Sequence, residues 1–285
     1  TARHLNSMIK KPELITTYGN ENIEYLKFIK KSIASSIKPF LFKNNDDYTV
    51  IKRRFISSSG YPNPLSDSLN KMPNKSSENR LFEIGYIPRG LIENKTEEKL
   101  LNFLKKKIKD YDLVVVSDFG HGLMTKKIVK EVQKSRKLAI NTQTNSTNFG
   151  FNLLGKYSKS NFLCIDELEA RLYMVDKISP INELGKNIMK NFNKSELMIT
   201  RGKFGLVYFK ENKIFKAPGL ATKVVDPIGA GDALYTGACL ASSFQKDPLV
   251  TVLLSSIMGM LGTSIEGNER GISRNEIIRS IKGLI

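Results

Sequence analysis

One short segment of the chain combines a glycine-rich turn with two carboxylates, in the pattern Asp226-x-x-Gly229-Ala230-Gly231-Asp232. The glycines let the backbone turn tightly with its N–H groups on one side, and small residues that favour a helix follow. The N-terminus of a helix attracts anions, because its dipole is positive there and its first N–H groups are unpaired. A carboxylate beside that anion would repel it, so Asp232 has little use in binding alone. It can instead accept the proton of a hydroxyl group that attacks a phosphoryl group. The pattern therefore indicates phosphoryl transfer; the alternative is an ordinary strand-to-helix turn, where aspartate is favoured in any case.

The same pattern resembles the C-terminal signature of the ribokinase-like (PfkB) carbohydrate kinases. In that family the Gly-Ala-Gly turn forms the anion hole, and the aspartate after it is the catalytic base. The resemblance implies that Gly229, Ala230 and Gly231 hold the transferred phosphoryl group and that Asp232 is the base. It also implies the fold of the family, a ribokinase-like α/β doubly wound sheet flanked by helices with a small β lid, and the cofactors ATP and Mg²⁺.

A second glycine-containing segment, Thr200-x-Gly202-Lys203-x-Gly205, is predicted to join two strands. Its glycines would let the backbone approach a phosphate closely, and Lys203 could add positive charge. The segment resembles the nucleotide-side loop of the family, which implies that these four residues and Asp226 bind the nucleotide. Alone it is weak evidence, because glycines between strands usually form a plain turn.

The segment Cys164-x-x-Glu167 resembles the Asn-x-x-Glu motif of the family, with Cys164 in the place of the asparagine. The glutamate of that motif helps to order Mg²⁺, so the resemblance implies that Glu167 is the metal residue. One carboxylate can suffice, because Mg²⁺ keeps several of its waters. The alternative is that Glu167 and Glu169 form the solvated acidic start of a helix, which suits the helix dipole.

The segment Asp118-Phe119-Gly120-His121-Gly122 is similar to a motif of one branch of the family, the kinase half of the heptose-phosphate kinase–nucleotidyltransferases. That similarity implies that Asp118 and His121 lie near the sugar. The chain departs from the branch at Asn141, Thr142 and Gln143, where the branch has Asp-Pro-Lys with a phosphate-binding lysine, and at Pro227, where threonine or valine is usual. The departures leave the kinase chemistry in place and the substrate open.

If the acceptor is a sugar phosphate, its own phosphate needs a cation in place of that missing lysine. The predicted lid strand at 48–57 offers Lys52, Arg53 and Arg54. Alternation along a strand puts Lys52 and Arg54 on one face and Arg53 on the other, so not all three can reach the site. An arginine suits a phosphate better than a lysine. We therefore expect Arg53 or Arg54 to bind the acceptor.

The pattern of apolar runs predicts one α/β domain over residues 1–285, and the resemblance implies that it is a PfkB-type sugar kinase domain. Its lid strands are expected at about 39–87, as three strands at 39–42, 48–57 and 80–87 with a polar insertion at 60–79. The α/β nucleotide-binding core is expected at 96–285, where runs such as 113–116 favour a parallel sheet that is buried on both faces. Relatives in the family carry a strand and a sugar-contacting Gly-Gly motif before the point where this chain starts. We therefore expect the N-terminal portion of the family domain to be missing.

Composition excludes some other classes of function. The net charge is +17, but the lysines are scattered over nearly every segment and no nucleic-acid motif accompanies them, so we expect no specific nucleic-acid partner. No apolar run reaches the roughly 20 residues that a membrane span needs, so we expect no membrane partner. The two cysteines lie far apart, as is usual in a reducing cytoplasm.

These observations predict a cytoplasmic, ATP-dependent kinase that phosphorylates a hydroxyl group of a sugar or sugar phosphate. The nearest branch implies a heptose phosphate as the acceptor, and a homodimer is the assembly to test. The alternative is a PfkB-like nucleotide-binding module that has lost turnover and acts as a partner or regulatory domain. The departures that motivate this alternative are Cys164, Asn141, Gln143 and Pro227. The retained Asp226 and Asp232 argue against it.

Overall fold

The computed structural model describes residues 1–20, 23–57, 79–88, 90–192, 195–245 and 247–284. The strands in these residues are β1 (Glu13–Tyr18), β2 (Lys38–Lys43), β3 (Ile51–Ser57), β4 (Asn79–Tyr86), β5 (Val114–Asp118), β6 (Leu138–Thr142), β7 (Phe162–Asp166), β8 (Glu196–Thr200), β9 (Leu206–Lys210) and β10 (Lys213–Ala217). The helices are α1 (Ala2–Met8), α2 (Ile23–Ser32), α3 (Asn94–Lys107), α4 (Lys126–Val132), α5 (Glu167–Met174), α6 (Ile181–Asn191), α7 (Ala230–Phe244), α8 (Pro248–Gly262) and α9 (Arg274–Leu284).

A central mixed sheet carries the fold, with the strand order β10-β9-β8-β7-β6-β5. Strands β5 to β8 are parallel, and β9 and β10 are antiparallel additions at one edge. The parallel strands are short apolar runs, as a sheet that is buried on both faces requires. Their carboxyl ends meet at one edge of the sheet, and the loops that leave this edge form the site described below.

Helices cover both faces of this sheet, because neighbouring residues of each strand point to opposite sides. In β7, Leu163 packs in the cluster that α3, α4 and α6 cover, while Cys164 packs against α7 on the other face. In β8, Ile199 packs in the first of these clusters and Met198 packs in the second. The predicted α/β fold with a sheet flanked by helices is confirmed.

Strands β3 and β4 form an antiparallel hairpin, which we call the lid after the prediction, and in it Arg54 lies opposite Glu83. The prediction of a further lid strand at residues 39–42 is wrong, because β2 pairs in parallel with β1 in a separate two-stranded sheet. Phe40 and Phe42 of β2 contact the ring of Phe103 on α3, with centroid distances of 4.5 and 5.7 Å. These contacts bury apolar surface against the core, which a projecting lid would leave exposed.

Two other expectations concern segments beside the site. The glycine-rich turn Gly229–Gly231 is called the anion turn below. The β-favouring run that precedes it, at 222–225, is irregular rather than a strand. The predicted insertion at 60–79 lies outside the described residues except for Asn79, which begins β4. Within the described ranges, none of the helices combines the length and the apolar character that a membrane crossing requires.

Candidate active site

A cavity of about 1680 Å³ runs along the carboxyl edge of the sheet and under the lid. We call its two sides the sheet-edge wall, formed by the residues at the ends of β5 to β8 and at the start of α7, and the lid wall, formed by Lys52 and Arg54 of β3. Ligands of open α/β sheets bind at this edge of the strands.

The anion turn is built by one left-handed residue. Gly229 has φ 82° and ψ −7° and precedes the first residue of α7. A side chain here would be strained, and a Cβ would lie 1.8 Å from Oδ1 of Asn268. Gly231, in the first turn of α7, differs, because a Cβ there would meet nothing within 4 Å. The first N–H groups of a helix have no partner within it, so this open backbone can receive an anion.

Asp232 lies in the first turn of α7, half-buried on the wall of the cavity. One of its carboxylate oxygens, Oδ1, accepts a hydrogen bond of 2.9 Å from the hydroxyl of Thr1. That hydroxyl lies 2.9 Å from the hydroxyl of Ser117, at the end of β5. The chain thus holds a carboxylate beside the anion turn, where it can take a proton from a bound hydroxyl group.

Asp226 has a different position from the one expected. It lies outside the cavity wall, and its carboxylate accepts hydrogen bonds from the N–H of Ile228 at 2.9 Å and from the N–H of Gly267 at 3.0 Å. These bonds tie the segment before the anion turn to the loop after α8. The structure therefore gives Asp226 a role in shaping the turn.

The segment Thr200–Gly205 lines the cavity through Thr200, Gly202, Lys203 and Gly205, which are the predicted residues. Gly205 has φ 84°, and a Cβ there would lie 1.9 Å from the carbonyl oxygen of Ala217, so glycine is required. The ammonium group of Lys203 lies 5.3 Å from the ring centroid of Phe204, an arrangement that favours a cation over the ring.

Asp118 lines the cavity but is almost completely buried. One of its oxygens, Oδ2, accepts a hydrogen bond of 2.7 Å from the hydroxyl of Tyr157 and forms an ion pair of 2.5 Å with Lys156. The other, Oδ1, accepts from the N–H of Gly120 at 3.1 Å. These partners hold the loop after β5 in place, so the carboxylate of Asp118 is largely committed within the protein.

His121 follows on that loop and also lines the cavity, with its ring stacked on Phe119 at a centroid distance of 6.0 Å. Its Nε2 is buried and has no hydrogen-bond partner among the described residues. Burial lowers the pKa of His121, and the positive charge of Lys52 lowers it further. The lid lysine therefore lies close enough to His121 to affect its charge.

The lid cations divide as strand alternation predicts. Lys52 and Arg54 line the cavity, whereas Arg53 is exposed and lies outside its wall. Both cavity-facing cations pair with Glu83 of β4, at 2.8 Å for Arg54 and at 4.0 Å for Lys52. Sequence reasoning missed this carboxylate, because only the register of the hairpin brings it to them.

Glu167 lies outside the cavity wall. Its two oxygens pair with arginines, Oε1 with Arg171 at 2.6 Å and Oε2 with Arg201 at 2.7 Å. In this arrangement Glu167 does not fit a magnesium-ordering role, because two guanidinium groups occupy it. Among the described residues, no cluster of three or more His, Cys, Asp or Glu side chains could hold a metal ion.

Two acids near this point line the cavity, Asp166 and Glu169. Glu169 was expected to be solvated only under the alternative interpretation of this helix start. It is buried, and its carboxylate accepts hydrogen bonds of 2.8 Å from the N–H groups of Thr144 and Asp166. Burial raises the pKa of Glu169 to about 7. The spacing Asp166-x-x-Glu169 is the signal that could have identified its position, because it is the pattern of a capping box, which the structure contains.

The departures from the branch motif form a small buried network. The amide of Asn141 donates to the carbonyl oxygen of Cys164 at 2.8 Å, and the amide of Gln143 donates to Asn141 at 3.0 Å. Cys164 is fully buried in the core. These residues therefore support the sheet edge, and Gln143 brings no positive charge to the cavity.

Comparisons with known proteins show the family and the fold of the chain. The pfkB family of carbohydrate kinases matches residues 84–253. The bifunctional protein HldE of Nitratiruptor sp. is 26% identical over 159 residues, which cover 55% of this chain and 33% of that protein. HldE of Aliarcobacter butzleri is 27% identical over 235 residues, which cover 80% of this chain and 44% of that protein. The chain thus spans less than half the length of these relatives.

Among solved structures, phosphofructokinase-2 of Escherichia coli in complex with fructose-6-phosphate superimposes with a TM-score of 0.72 and 11% identity. The superposition covers 99% of this chain and 85% of that one. At this identity it shows a shared fold. The family match extends over more than half of the chain, and the chain belongs to the pfkB family of carbohydrate kinases.

Proposed function

We propose that the protein is an ATP-dependent kinase that phosphorylates a hydroxyl group of a sugar or sugar phosphate. The observation that carries the proposal is the arrangement at the start of α7, where a half-buried carboxylate, Asp232, and the open backbone at Gly231 line one cavity. A general base and an anion-binding turn are the two parts that phosphoryl transfer requires of the protein.

In this proposal Asp232 accepts the proton of the acceptor hydroxyl as the hydroxyl attacks the γ-phosphoryl group. The N–H groups of the Gly229–Gly231 turn stabilise the negative charge that develops on the transferred group. The Thr200–Gly205 loop lines the nucleotide side of the cavity. Mg²⁺ is the ion that the family implies for the nucleotide phosphates, and no residue of this chain is assigned to it.

The acceptor is placed on the lid side, between Lys52, Arg54 and His121. A sugar phosphate suits these groups, because its phosphate can pair with the lid cations and its hydroxyl groups can bond to His121. The similarity to HldE proteins supports a heptose phosphate within this class. Asp118 contributes by holding the loop that carries His121.

A second function, a nucleotide-binding module without turnover, is favoured by one observation. Glu167, the acid at the metal position of the family, is occupied by two arginines. If this arrangement prevents the metal from being ordered, the nucleotide would bind and its γ-phosphoryl group would not be transferred.

The test is an ADP-release assay of the full-length protein with a panel of sugars and sugar phosphates. Asp232→Asn serves as the matched control, because it keeps the size and position of the side chain and removes the base. The proposed kinase releases ADP with at least one acceptor, and the variant does not. Nucleotide binding without acceptor-dependent ADP release by the wild type would support the module instead.

We also place the reaction in the cytoplasm, which supplies ATP. Both cysteines are unpaired thiols, and this agrees with a reducing compartment.

For the assembly we favour a homodimer that buries the outer side of the lid. Phe82, Ile84 and Tyr86 alternate along β4 on the face opposite Glu83, and each is at least 40% exposed, which is costly for large apolar side chains. Sedimentation velocity of the wild type and of Tyr86→Glu tests this, since the substitution would disrupt such a contact.

A further inference from the structure

Glu167 and Glu169 stand two residues apart at the start of α5, and the structure gives them different surroundings. Glu169 lines the cavity and is held by backbone N–H groups. Glu167 lies outside the cavity wall and is held by guanidinium groups on both sides. The position where the family carries its metal-ordering acid is therefore an ion-pair bridge in this chain.

One end of the bridge reaches the nucleotide side of the cavity. Arg201 donates from Nε to Glu167 at 2.7 Å, and its backbone closes the turn at both ends. Its N–H donates to the carbonyl oxygen of Gly205 at 2.8 Å, and its carbonyl accepts from the N–H of Phe204 at 3.0 Å. Its guanidinium also lies 5.7 Å from the ring centroid of Phe204. Fixing the Arg201 side chain therefore fixes a turn in which Gly202, Lys203 and Gly205 line the cavity.

The other end of the bridge is fastened to the loop after α5. Arg171 donates to Glu167 from both Nη2, at 2.6 Å, and Nε, at 3.1 Å. It also donates to the carbonyl oxygens of Asp176, at 3.4 Å, and Ser179, at 3.3 Å. Glu167 is thus held on a rigid support, and Arg201 has a fixed point to bind.

The charges argue against a metal at this carboxylate. Two arginine cations within 3 Å of Glu167 neutralise it and would repel a dication at the same place. The hydrogen bond from Arg201 lowers the pKa of Glu167, so the acid stays ionised for the pairing. The bridge also consists of directional, charge-assisted hydrogen bonds, from Arg171 to Oε1 and from Arg201 to Oε2 of Glu167, which a metal would have to break.

We infer that Glu167 is a positioning residue, which acts through Arg201 to hold the Thr200–Gly205 loop against the nucleotide. The inference rests on the proposed function for the identity of the ligand. The contacts themselves are independent of it, so the loop can be tested without turnover.

The first measurement is hydrogen–deuterium exchange of the ligand-free protein, read on the peptide that contains residues 201–206. Glu167→Gln and Arg201→Met should both raise exchange in this peptide. Glu183→Gln is the matched control, because it removes an exposed acid from the first turn of the next helix. Unchanged exchange in both bridge variants, with both folded as circular dichroism reports, would overturn the inference whether or not the protein is a kinase.

The second measurement is kinetic and separates positioning from metal binding. Both variants should raise KM for ATP by about 10- to 100-fold with the KM of the acceptor little changed, as misplacement of binding groups does. The double variant should be no worse than the poorer single variant, because both break one contact. The Mg²⁺ concentration that gives half-maximal rate should stay unchanged. A raised Mg²⁺ requirement in Glu167→Gln alone would restore the metal role and overturn the inference, whereas a wild type without turnover would refute only the kinase.

Discussion

The two walls of the cavity fix their functional groups by different means. At the sheet-edge wall, the backbone sets two features: Gly229 shapes the turn through a positive φ, and N–H groups hold Glu169. At the lid wall, Lys52 and Arg54 are held by another side chain, Glu83, on the neighbouring strand. The turn at Gly229 and the capping bond of Glu169 join residues that are close in sequence, whereas the pairs of Glu83 depend on the register of the hairpin. The first wall should therefore be rigid and readable from the sequence, and the second adjustable and hidden from it.

The largest expected effect is at the sheet-edge wall. Asp232→Asn should lower kcat by about 10²- to 10⁴-fold, because the variant keeps the shape of the side chain and cannot accept a proton. ATP affinity should change by less than about threefold, since the carboxylate does not attract the phosphates. Steady-state kinetics and calorimetric ATP titration measure the two quantities.

The control for that variant is Asp226→Asn, in which the acid lies outside the wall and supports the turn. Asp226→Asn should lower the melting temperature while kcat stays far closer to the wild-type value than it does in Asp232→Asn. Near-normal turnover in Asp232→Asn would assign the base elsewhere, and Asp118 is a poor substitute because Tyr157 and Lys156 hold its carboxylate.

Two glycines of the anion turn provide the next test, since the same added methyl group should act differently at each. Gly231→Ala puts the methyl into open space in the cavity, so turnover should fall while the melting temperature stays near the wild-type value. Gly231→Val should reduce turnover further. Gly229→Ala should destabilise the fold by about 1–2 kcal/mol, because a side chain at φ 82° is strained and meets Asn268. Thermal unfolding and kcat/KM on the same preparations separate the effects; equal losses of stability at both positions would contradict the open cradle at Gly231.

The features that the sequence predicted and those that it did not are divided in the same way as the two walls. The glycine-rich turn at the start of α7 and the aspartate in its first turn could be located, because they consist of a few residue types at a fixed spacing. The buried parallel strands could be identified because each is a short apolar run. The pairing of Glu83 with Arg54, and of Arg201 with Glu167, could not be found, since each joins residues about thirty positions apart. The partner of β2 was misjudged for the same reason, because an apolar strand does not specify its neighbour.

The buried acid of the sheet-edge wall gives a prediction for stability. Burial raises the pKa of Glu169 to about 7, above the 4.5 of an exposed glutamate. Between pH 4.5 and 7 the folded protein therefore keeps a proton that the unfolded chain has lost, so this group makes the free energy of unfolding fall as the pH rises. The fall attributable to Glu169 is at most about 3 kcal/mol. Urea unfolding from pH 5 to pH 8 should show a steeper decline in the wild type than in Glu169→Gln; parallel curves would mean that Glu169 is already ionised at pH 5.

We expect the smallest effects at the lid wall. Measuring them distinguishes a phosphorylated acceptor from a neutral one. Lys52 and Arg54 line the cavity and Arg53 does not, so Lys52→Ala and Arg54→Ala should each raise KM for a sugar phosphate about tenfold, the usual value of one charged hydrogen bond. Arg53→Ala should leave that KM unchanged, and KM for ATP should be unaffected in all three.

Glu83→Gln tests the pairing in the opposite direction. It releases both cations from their carboxylate partner, so KM for a phosphorylated acceptor should fall while KM for an uncharged sugar stays the same. The four variants together distinguish the acceptors. If none of them changes KM for any phosphorylated acceptor, the lid cations serve the hairpin alone and the acceptor is a neutral sugar.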